Sequence, residues 1–176
     1  MPLDPDESAE LTVSAEAEAT ELRFDDALES LAAPEISFET QLRQAVRAYV
    51  VRRDSGKTVI AGYPWFLDWG RDPLICARGL IAADMLEETR DILKVFGSYA
   101  EDGALPNTIH GADISNRNTS DAPLWFGVVC EELAARVGDG LYEEPVDETG
   151  RTLRDVLRDI ASGILKGASN GVRVDE

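Results

Sequence analysis

The stretch AGYPWFLDWGRDP, residues 61–73, sets four aromatic side chains (Tyr63, Trp65, Phe66, Trp69) within seven positions. Asp68, Arg71 and Asp72 are interleaved with them, and Gly62, Pro64, Gly70 and Pro73 shape the backbone. Flat rings beside carboxylates and a planar guanidinium suit a sugar. The rings cover the apolar C–H face of a pyranose, and the charged groups take its hydroxyls in pairs. The same composition also makes a buried aromatic corner whose charges pair among themselves. This stretch alone leaves both readings open.

On its C-terminal side, Asp72-Pro73 reads as an N-cap followed by Pro at the first helical position. Leu74, Ile75, Leu80 and Ile81 form the apolar face of the helix it opens. Asp84-Met-Leu-Glu87 resembles a capping box. It opens a second helix with Leu86, Thr89, Ile92, Leu93, Phe96 and Ala100 on one side. Residues 101–120 form a long polar loop with Gly103, Pro106, Asn107 and Gly111, and loops of that length without structure of their own commonly carry function. Asp121 starts a third helix, with Pro123 in its first turn and Trp125, Val128, Val129 and Leu133 following. Gly138–Gly150 is an acidic connection, and its Asp139, Glu143, Glu144, Asp147 and Glu148 read as a solvated charge run. Thr152-x-x-Asp155 caps a fourth helix, striped by Leu153, Val156, Leu157, Ile160 and Ile164. Residues 167–174 (GASNGVRV) turn toward a short strand.

On the N-terminal side a helical pattern begins at Ser37, with Leu42, Ala45, Val46, Tyr49 and Val50 on one stripe. Arg53–Lys57 reads as a turn. Thr58, Val59 and Ile60 are a short β-branched run leading into the aromatic stretch. Residues 1–36 are rich in Glu, Ala, Ser and Asp and read as a flexible lead-in or the edge of a further domain. Leu22, Phe24, Leu28 and Leu31 offer local docking there. The pattern is of amphipathic helices joined by loops of unequal length, an all-α architecture of paired helices over residues 37–176.

Charge and composition exclude several functions. The formal net charge is −17, of which residues 1–36 carry −10 through eleven acidic residues and one arginine. A phosphate backbone needs a basic footprint, so nucleic acid is not the expected partner. Neutral polysaccharide is compatible with such a surface. Cys76 and Cys130 sit in apolar helical patterns and are expected to be reduced and inert. With His110 the single histidine, no zinc set is expected, and no cofactor is implied. No apolar run approaches membrane-spanning length and no signal peptide is evident, so no membrane partner and a cytoplasmic location are expected.

AGYPWFLDWGRD at 61–72, LPN at 105–107 and NTSDAPLWF at 118–126 together resemble the catalytic domain of glycogen debranching enzymes, of the amylo-α-1,6-glucosidase type. The resemblance covers roughly residues 37–176, including the tail GILKGASNGVRVDE. Pro73 departs from it, standing where the family has a small hydroxyl residue. The resemblance implies an (α/α)6 toroid built of helical hairpins, here truncated about halfway, and hydrolysis of the α-1,6 branch points of glycogen or limit dextrin with inversion. Related toroidal glucosidases and a glucan-binding module without catalysis remain as alternatives.

The resemblance implies that Asp121 is the general acid. Leu124 and Trp125 nearby would desolvate it and raise its pKa, whereas the helix dipole favours its ionised form. Capping its helix is the competing role. Arg71 and Asp72 would clamp the hydroxyls of the terminal glucose, with capping as an additional role for Asp72. Asp68 would bind sugar or pair with Arg71. Trp65, Trp69 and Trp125 are stacking candidates, with core packing the alternative for Trp125. Asn107 and Asn118 would touch sugar or pin their loops. The resemblance implies a general base beyond Glu176. The expectation is therefore a chain inactive by itself, with uncovered helix faces such as the Leu153–Ile164 stripe that favour self-association.

Overall fold

A computed structural model describes residues 37–111, 113–117 and 119–167. The docking residues within 1–36, the strand expected within 168–174 and Asn118 lie outside them. The chain divides into two units after Gln41. In the first, Ser37 Oγ accepts from the backbone N–H of Thr40 at 3.2 Å and starts a helix.

The described residues are mostly helical, with four short strands. In order they form α1 (Phe38–Arg47), β1 (Val50–Arg53), β2 (Gly56–Val59), β3 (Asp68–Trp69), α2 (Arg71–Ala82), α3 (Leu86–Ser98), β4 (Thr108–Ile109), α4 (Ala122–Val137), a 3-10 helix (Asp139–Glu143) and α5 (Leu153–Lys166). The strands correct the all-α expectation. β1 and β2 are an antiparallel hairpin with Val50 opposite Val59 and Arg53 opposite Gly56. Its two-residue turn, Asp54-Ser55, has Asp54 at φ 48°, a conformation that aspartate tolerates. Val50 therefore belongs to a strand and not to the helical stripe. β3 and β4 are a second antiparallel pair, with Asp68 opposite Ile109 and Trp69 opposite Thr108.

Helices two apart in sequence are neighbours: α2 packs on α4, and α3 on α5. α3 also packs on α2 and α4. The core lies between them and includes Leu74, Leu80, Ile92, Leu93, Phe96, Phe126, Val129 and Leu133, all fully buried. Each such side chain contributes about 1.5–3 kcal/mol by leaving water. The stretch read as a polar loop feeds this core too, through Leu105 and Ile109. The stripe on α5 is covered, contrary to expectation: Leu153, Val156 and Ile160 are buried. The 3-10 helix packs against α4 and α5 and fills the gap with Leu141.

Helix boundaries follow tertiary bonds as well as local signals. Thr152 and Asp155 form the expected capping box of α5. The expected box at Asp84 does not form. Asp84 takes φ 65° and its carboxylate accepts from Arg136 at 2.7 Å, so Met85 becomes the N-cap of α3. α2 starts two residues early, with Gly70 rather than Asp72 as its N-cap. Two of the five acids in the acidic connection form ion pairs: Glu144 bridges Arg90 and Lys94, and Glu143 holds Arg154, whereas Asp139 and Glu148 are exposed. Among the described residues no helix is long and apolar enough to cross a membrane.

Candidate functional site

The N-termini of α2 and α4 are brought together by a backbone approach. The Gly70 N–H donates to the Asn107 carbonyl at 2.8 Å, and Asn107 N–H donates to the Asn116 carbonyl at 2.7 Å. A methyl group on Gly70 would overlap the Pro106 carbonyl oxygen and lie 3.6 Å from Ala122 Cβ. The LPN segment thus fixes the start of α2 against the 105–116 loop through main-chain atoms of Pro106 and Asn107.

Arg71 and Asp121 meet across this junction. The guanidinium donates from Nε to Asp121 Oδ2 at 2.7 Å and from Nη2 to Oδ1 at 3.0 Å, a bidentate pair. The Thr119 hydroxyl lies 3.2 Å from Oδ1. Asp121 is the N-cap of α4, but its side chain makes no capping bond. The carboxylate is committed to Arg71 instead. That hydrogen bond holds its pKa below the usual carboxylate value, outweighing partial burial, so the rise expected of an acid is reversed in this arrangement. The Arg71 side chain is 55% exposed and that of Asp121 38%, so the pair is a solvent-accessible one worth only about 0.2–1 kcal/mol. Asp72 follows on the first turn of α2, exposed.

The aromatic stretch is a strap ahead of this junction. Trp65 is 82% exposed, and Tyr63, Phe66 and Trp69 also stand in solvent. The strap is closed by Ala61 N–H to the Leu67 carbonyl and Trp65 N–H to the Gly62 carbonyl, and its Tyr63-Pro64 peptide is cis. Strand alternation in β3 turns Trp69 outward and Asp68 inward. Asp68 is 2% exposed and pairs with residues other than Arg71. It accepts from the Thr58 hydroxyl at 2.5 Å and stands 3.3 Å from Arg53 Nε. Burial pushes its pKa up, against the opposing pull of Thr58 and Arg53. Arg53 also donates to the Gly111 carbonyl at 2.7 Å and so ties the hairpin to β3 and to the segment just after β4. Trp125 packs half-buried against the core, with the Arg78 guanidinium 5.8 Å from its ring centre, and Arg78 in turn holds Glu132.

The structure therefore joins Arg71, Asp72 and Asp121 at one place, with Trp65 and Trp69 on the strap that leads into it. It separates Asp68, which anchors the strap from beneath, while Trp125 lies one helical turn after Asp121 on α4 and is engaged by Arg78. Sequence reasoning gave no site role to Thr58, Arg53 or Thr119, and took Gly70 only as a residue that shapes the backbone. Of these, the glycine between Trp69 and Arg71 carried a visible signal, since a glycine there points to a close backbone approach. Among the described residues no group of His, Cys, Asp or Glu is placed to hold a metal ion.

A family model for amylo-α-1,6-glucosidase matches residues 44–176, most of the chain. The chain belongs to this family. The amylo-α-1,6-glucosidase match spans the hairpin, the strap, the Arg71–Asp121 junction and α5, so the site described above lies wholly within it. The family is one of glycogen-debranching glycoside hydrolase domains, whose substrate class is glucan. No curated protein and no solved structure matches the chain.

Proposed function

We propose that the chain supplies the sugar-binding face and the general acid of an inverting α-1,6-glucosidase that acts on branch points of glycogen or limit dextrin. The observation that carries the reading is the meeting of Arg71, Asp72 and Asp121 at adjacent helix N-termini beside an exposed aromatic strap, in a chain of the amylo-α-1,6-glucosidase family. Trp65 and Trp69 would stack on the glucan, and Arg71 and Asp72 would take the hydroxyls of the terminal glucose. Asp121 would pass its proton to the bridging oxygen as the C1–O bond breaks. Inversion then requires water to attack C1 from the opposite face and lose a proton to a second carboxylate about 6.5–9.5 Å from the acid. Asp68 does not suit that second role, since it is turned to Thr58 and Arg53 under the strap.

The helical hairpins are read as part of an (α/α)6 toroid. The alternation of α2 with α4 and of α3 with α5 supports this, because a toroid sets successive hairpins side by side in two layers. Residues 1–36 are read as an acidic lead-in and 37–176 as belonging to the glucosidase domain.

The test is release of glucose from a branched limit dextrin by a complete enzyme that includes these residues, as wild type and as Asp121→Asn. General acid catalysis contributes about 10²–10⁴-fold, so turnover should fall by that order. On α-glucosyl fluoride, whose leaving group needs little protonation, the loss should be much smaller. Equal losses on both substrates would make Asp121 a positioning residue. Glucan binding without glucose release by wild type would favour a binding module.

A further inference from the structure

The residue assigned as acid and the residue assigned as clamp are bonded to each other. Each oxygen of Asp121 accepts one N–H of Arg71, at 2.7 and 3.0 Å. A carboxyl group so held is ionised, and its proton-carrying form is disfavoured by the adjacent cation. The Nε–Nη2 edge that holds it is also a fork that suits two adjacent hydroxyls. Both proposed roles therefore require the same ion pair to open.

We propose that Arg71 is an exchangeable cover on Asp121: sugar hydroxyls take the guanidinium fork, and its departure uncovers the carboxyl for use as an acid. This inference rests on the reading of Asp121 given above. Three observations support the exchange. The pair is open to water on both partners, with side chains 55% and 38% exposed, so its opening does not strand a buried charge. The start of α2 is held by a main-chain bond, Gly70 N–H to the Asn107 carbonyl, and the start of α4 by the buried Ala122 and Pro123, so the side chains can part without moving the backbone. Thr119 is buried and its hydroxyl stays 3.2 Å from Asp121 Oδ1. A hydroxyl can donate to the carboxylate or accept from the carboxylic acid, so it holds the group through both states.

The charged surroundings of Asp121 agree with this. Arg71, from α2, is the cation that holds its pKa down, and Thr119, from the preceding loop, adds to the same direction. Asp72 also supports the charge of the guanidinium. Removal of Arg71 from the carboxylate therefore removes the largest influence that keeps it ionised.

The experiment is a pH titration of the Asp121 side-chain carboxyl carbon by NMR, assigned through Asp121→Asn, with and without saturating isomaltose. Indole N–H signals of the tryptophans report binding independently. In wild type, isomaltose should raise the Asp121 midpoint by about one pH unit or more, a tenfold shift in its proton equilibrium. In Arg71→Gln the midpoint should be raised before isomaltose is added and should not respond to it. Arg71→Lys keeps the charge and loses the fork, and should fall between. Tryptophan signals that saturate with isomaltose while the Asp121 midpoint stays fixed would overturn the cover and leave the sugar site standing. No tryptophan response and no midpoint change would contradict both. Should Arg71→Gln not fold, the wild-type titration decides alone.

Discussion

Gly70→Ala tests the geometry that the whole site depends on. Gly70 has φ −58° and ψ −31°, ordinary helical values, so alanine carries no backbone penalty there. The obstacle is space. The added methyl would overlap the Pro106 carbonyl oxygen, and Gly70 is also bonded to the Asn107 carbonyl at 2.8 Å. Both neighbours are backbone, so no side chain can swing aside. Overpacking of this kind costs about 1–3 kcal/mol. For a chain of this size each kcal/mol moves the melting temperature by about 2–4 °C, so a fall of about 2–12 °C is expected. Gly79 supplies the internal control. It lies in the same helix with nothing within 4 Å of an added Cβ. Gly79→Ala should stabilise the helix by about 0.5–1 kcal/mol. The assay is thermal unfolding followed by far-UV circular dichroism on the two variants and wild type. One substitution in one helix should move the melting temperature down at position 70 and up at position 79. A Gly70→Ala protein that melts at or above wild type would refute the backbone approach, and with it the placement of Arg71 beside Asp121.

Two other perturbations probe the support of the strap and the core. Thr58→Val removes the hydroxyl that donates to the buried Asp68 carboxylate and should cost about 1–3 kcal/mol where Asp68 is ionised. Because burial raises the folded pKa of Asp68 above 3.8, the folded state binds more protons and stability falls as pH rises from 3.8 through that folded value. The deficit of Thr58→Val in urea unfolding should therefore be larger above that window than below it; a pH-independent deficit would contradict the assignment. Phe126→Ala empties a fully buried position on α4 and should cost about 3–5 kcal/mol. An unchanged urea midpoint would show that α4 does not pack as described.

The helical part of the fold was legible because it is written locally. The stripes of α3, α4 and α5 repeat every three to four residues, and Thr152-x-x-Asp155 announces its own cap. β1 was hidden because Val50 also continues a helical stripe, and periodicity cannot separate the two over so few residues. The start of α2 was misjudged because Gly70 is fixed by Asn107, which lies far along the chain. The same reason explains the site. Arg71, Asp72, Asp121 and the exposed tryptophans were legible as residue types and through family resemblance. The Arg71–Asp121 pair was not, since it joins positions 50 residues apart. Asp68 read as a sugar ligand or a partner of Arg71 because a carboxylate between two tryptophans looks accessible in sequence. Alternation in β3 points it inward, to Thr58 and Arg53.

The central claim is that the strap and the junction of α2 with α4 bind glucose units. The chain has three tryptophans, which makes the indole N–H region of a nitrogen–proton NMR spectrum a direct reporter. Isomaltose should shift the Trp65 and Trp69 signals saturably in wild type, with a smaller effect on Trp125, which Arg78 already engages. In Asp72→Asn, with the fold retained, the same titration should require far more isomaltose. Tryptophan signals that stay fixed in wild type, or that respond identically in Asp72→Asn, would contradict the claim.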